Sequence, residues 1–251
     1  MSAQLIKSIV AISCLVTLPY AYAQDLVAAG NASEDISQVK VSALKDPELR
    51  SYAQLYKGLK VYSEKLNLAP DSELFFILIP KSKSANLRDL KMRLASDESS
   101  IDIPVDASGQ FKLPMLETKS DDEYDLILNM PKGQFLIRPY VKSAHLPEDS
   151  KRVGDFRLEC QVRWAIEKQD VSVVFSTYVK LFASGSPCAT RAVDVGFYAP
   201  HGVDTISLNT ATQKLSRRTN SYERFSLPLW DKEVGDNELV KFGRGEPLSQ
   251  Q

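Results

Sequence analysis

The sequence predicts an α+β fold that is mainly β, with two antiparallel β units, an amphipathic helix near the start and one further helix. Short runs of alternating apolar and polar residues, separated by turn residues, predict the strands. In Ile101–Leu116, for example, Asp106 and Gly109 mark a tight turn between two such runs. The pattern Phe-x-Leu-Pro occurs at 111–114 and again at 225–228, each time followed by an acidic cluster and an apolar run. This repetition indicates a weak duplication of one β unit. It predicts inward positions for Phe111 and Phe225, with Leu113 and Leu227 on the same face, because side chains alternate at period two.

The first 23 residues are typical of an export signal. The apolar segment Ser8–Leu18 follows Lys7 and, at about 1.5 Å per residue, is too short to span about 30 Å of hydrocarbon. Small residues stand at both positions that signal peptidase recognises, which predicts cleavage after Ala23. We therefore expect a periplasmic or secreted protein.

Two other interpretations of this segment stay open. It could be a buried N-terminal helix of the folded protein. Alternatively, Cys14 could carry a lipid, because Ile12-Ser13-Cys14 partly resembles the lipobox of bacterial lipoproteins. No other apolar run approaches 18 residues in length, so we expect no transmembrane segment in the mature chain.

The mature chain would be nearly neutral. The sequence has 31 basic and 32 acidic residues, and loss of Lys7 with the signal leaves a net charge of −2. Charges of both signs are interspersed, so the chain lacks the basic surface that binding to nucleic acid requires. We expect no nucleic-acid partner.

Two cysteines remain after cleavage, Cys160 and Cys188, and an exported protein meets an oxidising compartment. We expect a disulfide between them, which would stabilise the fold by roughly 3.6 kcal/mol in the chain-entropy model. A metal site built on the two thiols is the competing interpretation, but the only histidines that could join it are His145 and His201. We therefore expect no metal and no cofactor.

The chain is predicted to divide into five segments. They are a signal peptide (1–23), a flexible lead-in (24–45), a helix with the first β unit (46–145), a second β unit with the disulfide (151–243) and a disordered tail (244–251). The polar stretch His145–Ser150 is the expected linker between the two β units, because it contains Pro147 and few apolar residues.

Asp46 and Pro47 predict the start of the first helix, as an N-cap followed by a proline at the first helical position. Apolar residues then recur at helical spacing on one stripe, and the pattern ends near Asn67. The stripe consists of Leu49, Tyr52, Tyr56, Leu59, Tyr62 and Leu66. We expect its tyrosines to lie on a sheet with their hydroxyls at the rim, although they could also line a ligand groove.

The rest of the first unit is predicted to consist of strands. Leu74–Ile79 is apolar on both alternating sets and is the expected central strand. An alternating strand at Leu90–Leu94 and two hairpins, Ile101–Leu116 and Tyr124–Val141, complete the unit. Pro139 lacks the amide that a central strand donates, so its strand is expected at a sheet edge.

The second unit opens with Phe156–Glu167, the most regular alternation in the chain. This pattern predicts a strand with Cys160 and Trp164 facing the core. Val171–Phe182 fits a strand or a helix, but Asp170 before it and a glycine shortly after it favour a helix. Further short strands are expected at Val193–Phe197, Thr205–Leu208, Phe225–Leu229 and Leu239–Phe242.

Short alternating strands, the Asp-x-x-Gly turn at 106–109 and the Phe-x-Leu-Pro that follows resemble the prealbumin-like β modules of carboxypeptidase regulatory domains. Such modules occur in many exported bacterial proteins of unassigned function. The resemblance covers 90–129 and, more loosely, 193–243. It implies Ig-like β units, and it implies no catalytic residue, because these modules have none in common.

Few residues suggest catalysis, and the sequence contains no G-x-S-x-G, H-E-x-x-H or P-loop motif. Ser184 and Ser186 flank a glycine beside a predicted helix end, and His201 lies between proline and glycine. We expect a loop and a turn there rather than a nucleophile and a general base. The acidic pairs Asp121/Asp122 and Asp236/Glu238 could serve acid–base or calcium chemistry, but their places between strands favour solvated loop charges.

The leading hypothesis is an exported, non-catalytic binding or structural protein of the bacterial envelope, whose partner would be another envelope protein or a glycan. The alternative is a carbohydrate-related enzyme or its accessory module. In that alternative, Tyr198, Tyr222 and Trp230 would be ligand-facing aromatic rings. Exposed coplanar rings beside carboxylates would favour it, and buried rings would remove it.

Overall fold

The alternating runs of the sequence form short antiparallel strands, and the α+β, mainly β class is confirmed. The structure is a computed structural model that describes residues 46–82, 85–116, 123–210, 214–220 and 223–244. The predicted signal, the lead-in and the tail beyond 244 lie outside the described residues, as do Asp121, Asp122 and Tyr222.

The elements of the described residues are numbered here in chain order. The strands are β1 (Pro47–Ser51), β2 (Ser72–Pro80), β3 (Met92–Ala95), β4 (Ser100–Ile103), β5 (Gln110–Phe111), β6 (Asp125–Pro131), β7 (Phe135–Ser143), β8 (Ser150–Arg152), β9 (Gly196–Tyr198), β10 (Thr205–Asn209), β11 (Lys214–Arg218), β12 (Arg224–Ser226) and β13 (Leu239–Gly243). The α-helices are α1 (Tyr52–Glu64), α2 (Val153–Glu167) and α3 (Val173–Phe182).

The strands form four antiparallel sheets. Their orders are β1-β6-β3-β4, β5-β2-β7, β11-β10-β13-β8 and β12-β9. The first two sheets and α1 share one apolar core, which includes Leu94, Phe76 and Leu55. The other two sheets share a second core with α2, in which Phe156 contacts the rings of Phe197 and Phe225.

The two predicted hairpins of the first unit are wrong in their pairing, although their strands exist. β4 pairs with β3 while β5 pairs with β2, and β6 pairs with β1 and β3 while β7 pairs with β2. At both turns the chain therefore passes from one sheet to the other. The physical reason is burial: crossing places apolar residues of consecutive strands, such as Leu128 and Phe135, in the core that both sheets share.

The turn at 106–109 forms as predicted. Gly109 has a φ of +82°, and the Asp106 carboxylate accepts hydrogen bonds from the amides of Ser108 and Gln110, both at 2.8 Å. Phe111 follows directly and is buried, as predicted, with its ring 5.7 Å from that of Phe76, its partner across the strand pair.

The second copy of the repeat has the same local arrangement. Phe225 is buried in β12 and faces Phe197 of β9 across the strand pair, with 6.0 Å between ring centres. Leu113 and Leu227 are buried too, which confirms the predicted inward positions. The wider duplication of a whole β unit stays a prediction.

The first helix begins later than predicted. Pro47–Ser51 is a strand that pairs with β6, so the prediction that Asp46 and Pro47 begin the helix is wrong, and Leu49 is exposed. A strand here satisfies the backbone groups of β6, which would otherwise lie at a sheet edge. Tyr52 is the first helical residue, and its buried hydroxyl donates to the Pro114 carbonyl at 2.7 Å.

The prediction of a strand at Phe156–Glu167 is wrong, because Val153–Glu167 is helix α2. Its period-two alternation has a simple explanation on a helix. Phe156 and Cys160 lie on one row and pack into the second core, whereas Leu158 and Val162 lie on the opposite row, two residues or about 200° away. The helix is therefore apolar on two opposite sides, and Cys160 still faces the core as predicted.

A third row of α2 covers the edge of a sheet. β7 is an edge strand, as Pro139 predicted, and its outward amides at Val141 and Ser143 donate to the carboxylates of Glu159 and Asp155, both at 3.1 Å. The alternating pattern predicted that the charged side chains of this segment face solvent. Instead, they accept hydrogen bonds from the free amides of an edge strand inside the protein.

Candidate functional site

The segment that follows α3 is joined covalently to α2, because the predicted Cys160–Cys188 disulfide is present. The two Cα atoms are 5.8 Å apart, and both cysteines are buried. Cys160 lies in the middle of α2, and Cys188 lies in a short 3₁₀ helix, Pro187–Ala189, just after α3. The segment that contains α3 is therefore a loop closed at its base by the disulfide.

One side of α3 attaches it to the protein. Val179 is fully buried, and the Phe175 ring meets Trp164 of α2 edge to face, with 6.3 Å between centres. The Trp164 indole N–H donates to the Gly185 carbonyl at 2.9 Å. At the other end, Ser172 caps the helix by accepting from the Phe175 amide at 3.2 Å. The position of α3 is thus fixed by packing, a cap and the disulfide.

The opposite side of α3 is apolar and open to solvent. Its exposed large residues are Val173 (81%), Val174 (81%), Leu181 (71%), Phe182 (65%) and Tyr178 (38%), and we call them the α3 surface. The helix prediction for Val171–Phe182 is confirmed over Val173–Phe182, but most of the apolar stripe that predicted it faces solvent. An apolar helix face is normally covered by the core or by a partner.

Two further residues with interface chemistry lie in or against the chain segment that follows the disulfide. The Tyr178 hydroxyl donates to the Ala192 carbonyl at 3.4 Å, so the chain segment after the disulfide runs along the helix. The Arg191 guanidinium in that segment lies 5.7 Å from the centre of the Trp230 ring, which is 39% exposed. Tyrosine, tryptophan and arginine are the residue types that most often dominate the binding energy of protein interfaces.

The predicted aromatic residues are not brought together by the described contacts. Tyr198 is half-buried in β9, with the Arg224 guanidinium 5.5 Å from its ring centre. Trp230 has a different arginine over its ring, and Tyr222 lies outside the described residues. A polar cleft of about 280 Å³ adjoins β9, lined by Asp194, Gly196, Asn220, Arg224, Phe225 and Ser226. Sugar binding by the predicted rings stays a prediction.

The catalytic candidates lie in separate local networks. His201 is 99% exposed in its side chain, and its Nδ1 is 3.1 Å from a Glu223 carboxylate oxygen. Ser186 caps the short 3₁₀ helix by accepting from the Cys188 amide at 3.4 Å. Asp236 forms an ion pair with Arg157. Each contact holds a turn or a helix end in place.

The most buried charges lie between β7, β8 and α2. Lys151 is 1% exposed, forms an ion pair with Glu159, and has its ammonium 4.4 Å and 4.2 Å from the ring centres of Tyr140 and Phe156. Burial raises the pKa of Glu159, and the ion pair with Lys151 partly offsets this. Burial also raises the pKa of Tyr140, and the nearby carboxylates of Glu159 and Asp155 raise it further. These charged and aromatic side chains contact one another inside the protein and hold α2 against β7 and β8.

Sequence reasoning missed the exposure of the α3 surface because an apolar helical stripe normally indicates a core face. One signal was present. The run from Val171 to Phe182 contains a single charged residue, Lys180, so no face of the helix is charged enough to be the solvent side.

Among the described residues, no group of three or more histidine, cysteine, aspartate or glutamate side chains is placed to hold a metal ion. In the same part of the chain, no helix has the length and apolar character needed to cross a membrane. Comparison of the chain with protein-family models, curated proteins and solved structures found no match in any of the three.

Proposed function

We propose that the protein is an exported, non-catalytic binding protein of the bacterial envelope, and that it binds a protein partner through the α3 surface. The observation that carries the proposal is the exposure of Val174, Leu181 and Phe182 on a helix whose following segment is tied to α2 by the disulfide. Exposed apolar patches of this kind mark interaction sites in soluble proteins. Because α3 is already folded, little ordering entropy would oppose binding.

Export supports this proposal at the level of the whole chain. The first 23 residues have the features of a cleavable signal with a site after Ala23, and the disulfide is of the kind that persists in oxidising compartments. Periplasmic or secreted localisation is part of the proposal. Fractionation of cells by osmotic shock, followed by N-terminal sequencing, tests it directly.

The prealbumin-like, Ig-like character of the β units belongs to the same proposal. Support comes from the short antiparallel strands and from the two Phe-x-Leu-Pro segments, in which Phe111 and Phe225 each face another phenylalanine across a strand pair. Such units present helices and loops on a rigid β framework, which suits a binding role.

Site-specific photo-crosslinking in living cells tests the binding surface. We expect a photoreactive phenylalanine analogue at Leu181 to give a covalent adduct of higher mass after irradiation, because this side chain would lie inside the interface. The same analogue at Glu98, an exposed turn residue between β3 and β4, is the matched control and should give none.

Two results would contradict the proposal. One is the absence of any adduct at both Leu181 and Phe182. The other is an adduct that survives unchanged when Val174 is replaced by aspartate, since a charge in the centre of an apolar interface should weaken binding.

A further inference from the structure

We infer that the partner of the α3 surface is a second copy of this chain, bound so that the two α3 helices pack antiparallel about a two-fold axis. This inference rests on the proposed function, because it names the occupant of the same surface. It is argued from the arrangement of exposed residues along α3, from their charge and from their area.

The exposed residues of α3 are arranged symmetrically about the middle of the helix. Val173 and Val174 lie at one end, Leu181 and Phe182 lie at the other, and Tyr178 lies near the midpoint. Val174 and Leu181 are seven residues apart, so they lie within about 20° of each other around the helix and form its outer line. Isologous interfaces require a surface that is complementary to itself, and this arrangement meets the requirement.

Antiparallel packing would place apolar residues of one copy against apolar residues of the other. With the axis through the middle of the helix, Val174 would meet Leu181 of the second copy, and Tyr178 would lie beside its own counterpart. Lys180, the one charged residue of α3, lies off the Val174–Leu181 line. The centre of the contact would therefore contain no charge that has to be desolvated without a partner.

The area of the patch fits a dimer of modest affinity. From their exposed fractions, the five side chains of the α3 surface present on the order of 600 Å². Two copies would then bury about 1,200 Å², at the lower end of specific interfaces. Arg191, next to the Ala192 carbonyl that accepts from Tyr178, would extend the contact at its rim.

Sedimentation equilibrium of the exported, purified protein tests the inference. We expect a reversible monomer–dimer equilibrium in the micromolar range. Leu181→Asp should raise the dissociation constant at least about 100-fold, as expected when a central apolar contact receives a charge in both copies. Met115→Asp makes the same kind of change at an exposed apolar residue outside the α3 surface, and it should leave the equilibrium unchanged.

Thiol crosslinking tests the geometry independently. Thr177 is exposed and lies beside the midpoint of α3, so Thr177→Cys should be joined to its counterpart by a short bis-maleimide, whereas Glu98→Cys should not. Crosslinking through Thr177 with loss of the product in the Leu181→Asp background would support the antiparallel dimer. A dimer that forms but is not crosslinked through Thr177 would overturn this geometry.

Failure of the inference and failure of the proposed function give different results. A protein that stays monomeric, yet gives an adduct at Leu181 with a different protein in cells, overturns the second copy and leaves the binding function standing. A monomer that binds phosphatidylglycerol vesicles through Leu181 overturns the inference of a second copy and indicates a lipid surface instead. A monomer without any adduct overturns both proposals.

Discussion

Lys151 is a lysine whose ammonium lies inside the protein, between two aromatic rings and against Glu159. Taking both charges out of water carries a large desolvation cost, which their attraction and the hydrogen bond from the Val141 amide to Glu159 offset. Such a pair adds little net stability, but it makes the loss of either partner expensive. It also fixes how α2 sits against β7.

Removing one partner should therefore be worse than removing both charges. We expect Lys151→Met to lower the free energy of unfolding by roughly 3–5 kcal/mol, because it leaves a buried carboxylate without its counter-ion. The double variant Lys151→Met with Glu159→Gln keeps an acceptor for the Val141 amide and should recover most of that loss. Urea unfolding at neutral pH measures both. A double variant no more stable than the single one would contradict this account.

Asp106 gives a prediction about pH. Partial burial alone would raise the pKa of its carboxyl, but hydrogen bonds from the Ser108 hydroxyl and from the backbone amides of the turn outweigh this and lower it. A lowered pKa in the folded state means that the carboxylate stabilises the fold above its unfolded pKa, near 3.9. That stability is lost as the pH falls through the folded pKa.

We expect Asp106→Ala to be less stable than the natural protein at neutral pH, with a difference that shrinks as the pH is lowered below about 4. Asp106→Asn retains an acceptor oxygen without a titrating proton and is the matched control. Urea unfolding across this pH range measures the difference. A difference in unfolding free energy between the natural protein and Asp106→Ala that widens on acidification would contradict a lowered pKa in the folded state.

At the scale of elements, strands were more predictable than their partners. Alternation and turn residues placed β2, β6, β7 and β13 well, because a half-buried strand leaves a period of two in the sequence. Pairing was less accessible, since a turn of the same chemistry can close a hairpin or carry the chain to another sheet. The turn at Asp106 is correct in conformation and still leads from one sheet to the other.

Helix α2 shows why periodicity alone can mislead. Period two normally indicates a strand, but it also arises on a helix that is buried on two opposite sides, as α2 is. The buried carboxylates of Asp155 and Glu159 then resemble a solvated strand face. A helix with three occupied sides carries no simple amphipathic signal, so its neighbours decide its structure.

The two phenylalanines of the repeated segments provide a test of element packing. Phe111 and Phe225 are both buried in short strands against another phenylalanine. We expect Phe111→Ala and Phe225→Ala each to cost about 3–5 kcal/mol of unfolding free energy, the usual loss for a buried ring. Urea unfolding measures both variants, and Met115→Ala, at an exposed residue outside the α3 surface, is the control. A loss below 1 kcal/mol at either buried position would mean that the ring is not part of the core.

At the scale of the whole molecule, α2 is the centre of the structure. One side of it packs into the core that contains Phe156 and Cys160. The other side packs against α1, where Ile166 approaches closely because Gly58 has no side chain. The disulfide then attaches the α3 segment to this central helix. The central helix of the protein thus supports its most exposed apolar surface.

The candidate site could be predicted from the sequence only in part. The disulfide follows from two cysteines in a chain that is expected to be exported, and the helix follows from its apolar spacing and its end signals. Which side of α3 faces solvent depends on contacts with Trp164 and on the closure at Cys188, both set by tertiary structure. The lack of a charged face on α3 indicates that the helix is covered, but it does not distinguish a stripe that packs on the core from one that packs on a partner.

The central claim is that a binding partner covers the α3 surface in the cell. Thiol accessibility at Val174→Cys tests this claim most directly. The labelling rate with a polar maleimide would be compared between intact cells and dilute purified protein, with Glu98→Cys as the exposed reference. We predict that Val174→Cys is protected in cells and reacts as fast as the reference after dilution, because an interface dissociates and a core does not. Equal reaction of the two cysteines in cells would contradict the account.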